Sequence, residues 1–217
     1  MPQPLGRKNL LLVEGDDDKW VVINLMPRLG RSFTSEQCWV EASGSDARAL
    51  AVFAVAIKQS APARVGIVLD ADDEDGKRAP DRWKAICDEL NGSVTGLPVD
   101  PPAEGWIGST GAGVTVGAWI MPDNQNVGAL EQFLTPMVPR ADPTWSHAGR
   151  AATEARGMGA PFNQRHHSKA WLHTWLAWRT QPGRPYGRAI TSCDLQPNGS
   201  AAATAFAAWF ERLFPRP

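Results

Sequence analysis

At 217 residues, 43% of them apolar and 21% charged, the chain is long enough to bury a full core as one domain and shows no compositional sign of disorder. A formal net charge of −1 argues against a generally basic nucleic-acid binder, and three cysteines (Cys38, Cys87 and Cys193) without CxxC spacing support neither a disulfide framework nor a zinc site. The N-terminus carries no signal-peptide core and the longest apolar runs fall far short of the ~20 residues that span a bilayer, so a soluble cytoplasmic protein is expected.

The first strand is Leu10-Leu11-Leu12-Val13, a short aliphatic run suited to a strand covered on both faces, and it stops at Glu14-Gly15-Asp16-Asp17-Asp18. Asp16 to Leu29 then places Trp20, Ile23, Met26 and Leu29 near helical spacing, with aspartates in the first turn, where they favour a helix N-terminus. Cys38 to Ala42 is a short strand, Ser43-Gly44-Ser45-Asp46 a turn and N-cap, and an Ala-rich helix follows to about Lys58. Arg64 to Asp70 is the next strand, ending in Asp70-Ala71-Asp72-Asp73-Glu74-Asp75, and Pro80 opens a helix with Trp83, Ile86 and Leu90 on one face.

Asn91 to Gly113, rich in Gly and Pro, predicts one weak strand and a long loop. Val114 to Met121 is a further strand, followed by Pro122-Asp123-Asn124 and a helical Ala129 to Leu134. Beyond Pro143 helical patterns dominate, at about Trp145 to Arg156, Ser168 to Thr180 and Ser200 to Leu213. Trp171, Trp175 and Trp178 recur at i, i+4, i+7 and predict a core stripe. The alternation predicts an α/β fold with a central, mainly parallel sheet flanked by helices over residues 1–142, and a helical extension over 143–217 packed on the same domain.

In such sheets the ligand crevice lies beyond the carboxyl ends of the strands. If the first and third strands are neighbours, Glu14, Asp70 and Asp72 converge, and their mutual repulsion raises their pKa values unless a cation sits among them. Mg²⁺, a hard cation that takes carboxylates and keeps waters for substrate phosphates, is the economical occupant. Asp18, one turn past the Glu14-Gly15 corner, is a candidate further ligand, and so are Asp123 at the end of another strand and Glu131 in the region that follows.

Charge is unevenly spread along the chain. Residues 1–142 hold 20 acids against 13 bases, whereas 143–217 hold 3 acids against 9 bases together with all four histidines. An acidic centre beside a basic surface is the pattern of a protein that receives a polyanion, with Arg165, Lys169 and Arg179 as members of that surface.

Glu14-Gly15 after the first strand, with Asp70-Ala71-Asp72 after a later one, resembles the Toprim domain shared by topoisomerases, bacterial primases, OLD-type nucleases and RecR-like repair proteins. The likeness covers roughly residues 8–135. The whole chain also resembles a family of small stand-alone bacterial Toprim-like proteins of undefined function. That likeness rests on Leu12-Val13-Glu14-Gly15, on Trp119 to Asn124 with Leu130 to Leu134, and on Lys169 to Ala177. The resemblance implies a Toprim-like, Rossmann-like fold, Glu14 as general acid/base or metal ligand, and Asp70 and Asp72 as holders of Mg²⁺ or Mn²⁺. OLD-like nucleases add a basic residue from a C-terminal segment, a part that Lys169 could match.

Two functions follow as expectations. One is a Mg²⁺-dependent nuclease, or a related phosphotransfer enzyme, acting on DNA or RNA. The other is a non-catalytic, RecR-like adaptor with a protein or nucleic-acid partner, in DNA repair or phage defence. A type IA topoisomerase needs a nucleophilic tyrosine in a large gate domain, and the only tyrosine here is Tyr186. A phosphoacceptor receiver needs a later strand ending in lysine, where this chain has Met121-Pro122-Asp123.

Overall fold

The structure is a computed structural model and describes residues 9–59, 63–71 and 79–216. Five strands, β1 (Asn9–Val13), β2 (Trp39–Ala42), β3 (Arg64–Asp70), β4 (Trp106–Ser109) and β5 (Thr115–Met121), form one sheet in the order β2-β1-β3-β5-β4. All neighbours are parallel except β4, which runs antiparallel to β5 at the edge. The α/β fold with a mostly parallel sheet is therefore as expected. The weak strand of the Gly- and Pro-rich segment is β4, and it interrupts the strict β-α alternation by pairing with β5 as a hairpin.

The aliphatic runs form central strands because both of their faces are covered. Leu10, Leu12, Val65, Ile67, Leu69, Val116 and Ile120 pack on one side under α2 (Asp46–Ala56) and α3 (Ala79–Leu90). Leu11, Val13, Val68, Trp119 and Met121 point to the other, under α1 (Asp16–Arg28) and the C-terminal helices. This is the period of two expected of a strand, with apolar residues in both phases.

The C-terminal region supplies α5 (Pro143–Gly157), α6 (His167–Ala177), α7 (Tyr186–Thr191) and α8 (Ala201–Leu213), after a short α4 (Leu130–Leu134). It forms one layer of the fold. Gly66 and Gly117 are in register on β3 and β5, and Leu213 of α8 sits where their side chains would be: an added Cβ would lie 2.9 and 2.6 Å from Leu213 Cδ2. Gly187 lets α7 approach α1 in the same way, 2.7 Å from the Trp20 carbonyl oxygen. Helix α7 follows a segment rich in Pro and Gly, which conceals it from periodicity. The tryptophan stripe is part core: Trp175 is buried, Trp171 half-buried and stacked on Trp145 at 4.5 Å, and Trp178 is exposed beside His147. No helix among the described residues is long and apolar enough to cross a membrane.

A candidate acidic cleft

The chain leaves β1 outward through α1 to β2 and then crosses back to β3 on the other side of β1. The switch in direction falls between β1 and β3, whose carboxyl ends carry Glu14 and Asp70. The two ends are tied together, because the Asp70 amide donates to Glu14 Oε1 at 2.8 Å. Glu14 is fixed from the β2 side as well, where the Gly44 amide donates to its carbonyl at 2.7 Å.

Gly15 opens α1 in an extended conformation, and its amide donates to Asp18 Oδ2 at 3.0 Å. A Cβ on residue 15 would stand 3.2 Å from that oxygen, so glycine lets the carboxylate close onto the backbone. The result is a buried Asp18 whose pKa is pushed up to about 7. Burial is the largest cause, and the charges of Glu14 and Glu131 add to it against the opposing Gly15 bond.

A cleft of about 440 Å³ lies over this corner, lined by Gly15 to Asp18, Asp70, Gly128 to Gln132, Arg165, His166 and Lys169. Glu131 reaches it from the start of α4, accepting from the buried Tyr186 hydroxyl at 3.2 Å and lying 3.8 Å from Lys169 Nζ. Burial, then the Glu131 charge, raises the Tyr186 pKa far above its usual value and keeps the phenol a donor. His173 stacks on the Tyr186 ring at 4.8 Å, and burial, followed by the Lys169 charge, lowers its pKa.

Of the residues expected from sequence, Asp18, Asp70, Glu131 and Lys169 line this cleft, and Glu14 braces its floor. Asp72 lies outside the described residues, as do Asp73, Glu74 and Asp75. Asp123 is not brought to the cleft. Its Oδ1 accepts from the amides of Gln125 and Asn126 and its Oδ2 from the Asn126 side chain, so the carboxylate shapes the turn after β5. Among the described residues no three His, Cys, Asp or Glu side chains are grouped so as to hold a metal ion.

Several contributors had little signal in the sequence. Asp16 and Asp17 line the cleft as well as opening the helix. Arg82, buried in α3, donates to the Asp70 carbonyl at 2.8 Å and pairs with Asp46 at 2.5 Å, locking the end of β3 to the start of α2. The expected basic surface is also smaller than the charge count implies. Arg179 pairs with Asp142 at 2.5 Å and lies over Trp175, Arg184 pairs with Asp194, and Arg216 with Glu211. Arg165 and Lys169, by contrast, are placed on the acidic cleft itself.

No protein of curated function and no solved structure matches the chain. One family model does, over residues 8–215, and it is described as a protein of unknown function. The chain belongs to that family, DUF3226.

Proposed function

We propose that the protein is a Mg²⁺- or Mn²⁺-dependent nuclease, or a closely related phosphotransfer enzyme, that acts on DNA or RNA in the acidic cleft. The observation that carries this reading is the meeting of acids from α1, β3 and α4 around one opening, with Glu14 bonded to the Asp70 amide at its edge, Arg165 from the turn before α6 and Lys169 from the first turn of α6. The resemblance of Glu14-Gly15 and Asp70-Ala71-Asp72 to the Toprim pattern supports it.

The donor set is all oxygen, which suits a hard cation, and the raised pKa of Asp18 marks a place where negative charge is short of a counter-ion. Asp70, Glu14 and Asp72 would hold the ion. When bound, Mg²⁺ supplies activation of an attacking water and stabilisation of the leaving oxygen in an in-line displacement. Glu14 sits at the end of a strand, fixed by the Asp70 amide, and takes a proton or holds the ion without reorganising. Arg165 and Lys169 bind the phosphodiester and draw it across the acids. Tyr186 orients Glu131 from below. The test is metal-dependent cleavage across single-stranded DNA, duplex DNA and RNA.

A second reading, a non-catalytic adaptor, is favoured by one observation: Glu14 accepts a backbone hydrogen bond and therefore has a structural use independent of chemistry. Binding of nucleic acid or a protein without turnover in any metal would select it.

A further inference from the structure

On the outer side of α5 and α6 lies a second hollow of about 570 Å³, within the size range of ligand sites. Its wall is the half-buried, stacked pair Trp145 and Trp171, held close by Gly149, where any Cβ would meet the Trp171 ring at 2.6 Å. The Trp171 Nε1 donates to the Trp145 carbonyl at 2.8 Å, which satisfies its polar edge and fixes the ring. A rigid aromatic wall with its donor already used offers an apolar surface. His167 stands edge-on to Trp171, and the hollow continues past it into a second recess bounded by Arg156 and Gln164.

The charge along this path is positive. Arg150 and Arg156 border it, and among the described residues neither pairs with a carboxylate: Arg150 contacts His147, and Arg156 donates to Gln164. Among the described residues Glu154 is the one acid on the wall. The path also leads to the cleft. Gln164 and His167 face the groove, while Arg165 and His166, between them in sequence, line the acidic cleft. One turn of chain thus separates the two openings.

We propose that the α5/α6 groove is a docking site for single-stranded nucleic acid, with unpaired bases against Trp145 and Trp171, the backbone beside Arg150 and Arg156, and the strand passing over the turn at 164–167 into the acidic cleft. This rests on the nucleic-acid reading above and adds the substrate class. Only an unpaired base can present its face to an indole, because a duplex keeps those faces inside its own stack. Arginines spaced along an aromatic wall give the sequence-tolerant grip of single-strand binders.

The experiment measures anisotropy of a labelled oligothymidylate of roughly 16 nucleotides and of a hairpin duplex of equal length, in EDTA, with wild type, R150E/R156E, S146E and R165E/K169E. Ser146 is exposed on the groove, so a carboxylate there repels a strand without disturbing the core. The expected result is preference for the single strand, with loss of about tenfold in R150E/R156E and in S146E. The salt dependence should fall by roughly 1.4 in slope for the double variant, from two phosphate contacts at about 0.7 each. Single-strand binding that survives both groove variants but is lost in R165E/K169E overturns the groove and leaves the nucleic-acid reading standing. Preference for duplex does the same. Absence of all binding to DNA and to an RNA of the same length overturns both, and self-association that S146E abolishes assigns the groove to a second copy instead.

Discussion

The amide of Asp70 donates to the carboxylate of Glu14 at 2.8 Å, so the residue that ends β3 clamps the residue that ends β1. Glu14→Gln keeps an oxygen acceptor for that bond, whereas Glu14→Ala removes it. On the order of 1–2 kcal/mol of stability should be lost in the alanine variant, and the glutamine variant should melt close to wild type. If chemistry uses the carboxylate, both variants are inactive while only one is destabilised. Thermal melts run beside cleavage assays separate the two contributions.

Asp18 makes stability depend on pH. Burial pushes its carboxyl up from the ordinary aspartate value of 3.8 to about 7 in the fold. Between those values the folded state keeps a proton that the unfolded state has released, so stability falls as pH rises from about 4 to about 7 and is level beyond. Asp18→Asn keeps an oxygen for the Gly15 amide and removes the titration. In EDTA it should be more stable than wild type by up to about 4 kcal/mol near pH 8, and close to wild type near pH 4. Urea unfolding at several pH values measures this. A parallel pH dependence in wild type and variant would show that Asp18 ionises at its ordinary pKa.

Metal binding should stabilise the native state, because an ion that binds only the folded chain shifts the equilibrium by linkage. Mg²⁺ or Mn²⁺ should raise Tm in wild type, and Asp70→Asn with Asp72→Asn should abolish the shift. A shift of equal size in the double variant would place the ion elsewhere.

Arg179 is tied into the fold. It pairs with Asp142 and lies 4.4 Å from the Trp175 ring centroid. The Asp142 pKa is lowered: burial works upward, but the Thr144 bonds and then Arg179 outweigh it. Arg179→Glu should cost roughly 2–4 kcal/mol, since it leaves Asp142 facing a like charge. Arg165→Gln with Lys169→Gln, which add no acid beside Glu131, should cost less stability than Arg179→Glu while weakening oligonucleotide binding. Denaturation and anisotropy on the same preparations distinguish the two roles.

The strands were legible because their aliphatic runs are short, bounded by acids or glycine, and buried on both faces, and this put Glu14 and Asp70 at one crevice in advance. Asp18 was legible through helical spacing from the Glu14-Gly15 corner. The depth of its burial was not, because that depends on Gly15 admitting its carboxylate onto the backbone and on tertiary packing around α1. The misplacement of Asp123 has a local cause: being near a strand end does not aim a side chain, and here the turn amides of Gln125 and Asn126 capture it. A charge count also cannot tell a solvated arginine from one spent on an internal pair, which is why Arg179 read as surface.

The most direct measurement of the central claim is cleavage of labelled single-stranded DNA, duplex DNA and RNA by wild type and Glu14→Gln, each with Mg²⁺, with Mn²⁺ and with EDTA. Metal-dependent phosphodiester cleavage by wild type that is lost in Glu14→Gln, with an unchanged melting curve, is the predicted result. Wild type that leaves every substrate intact in both metals, with its genomic neighbours supplied, would contradict the enzyme reading and leave the adaptor in its place.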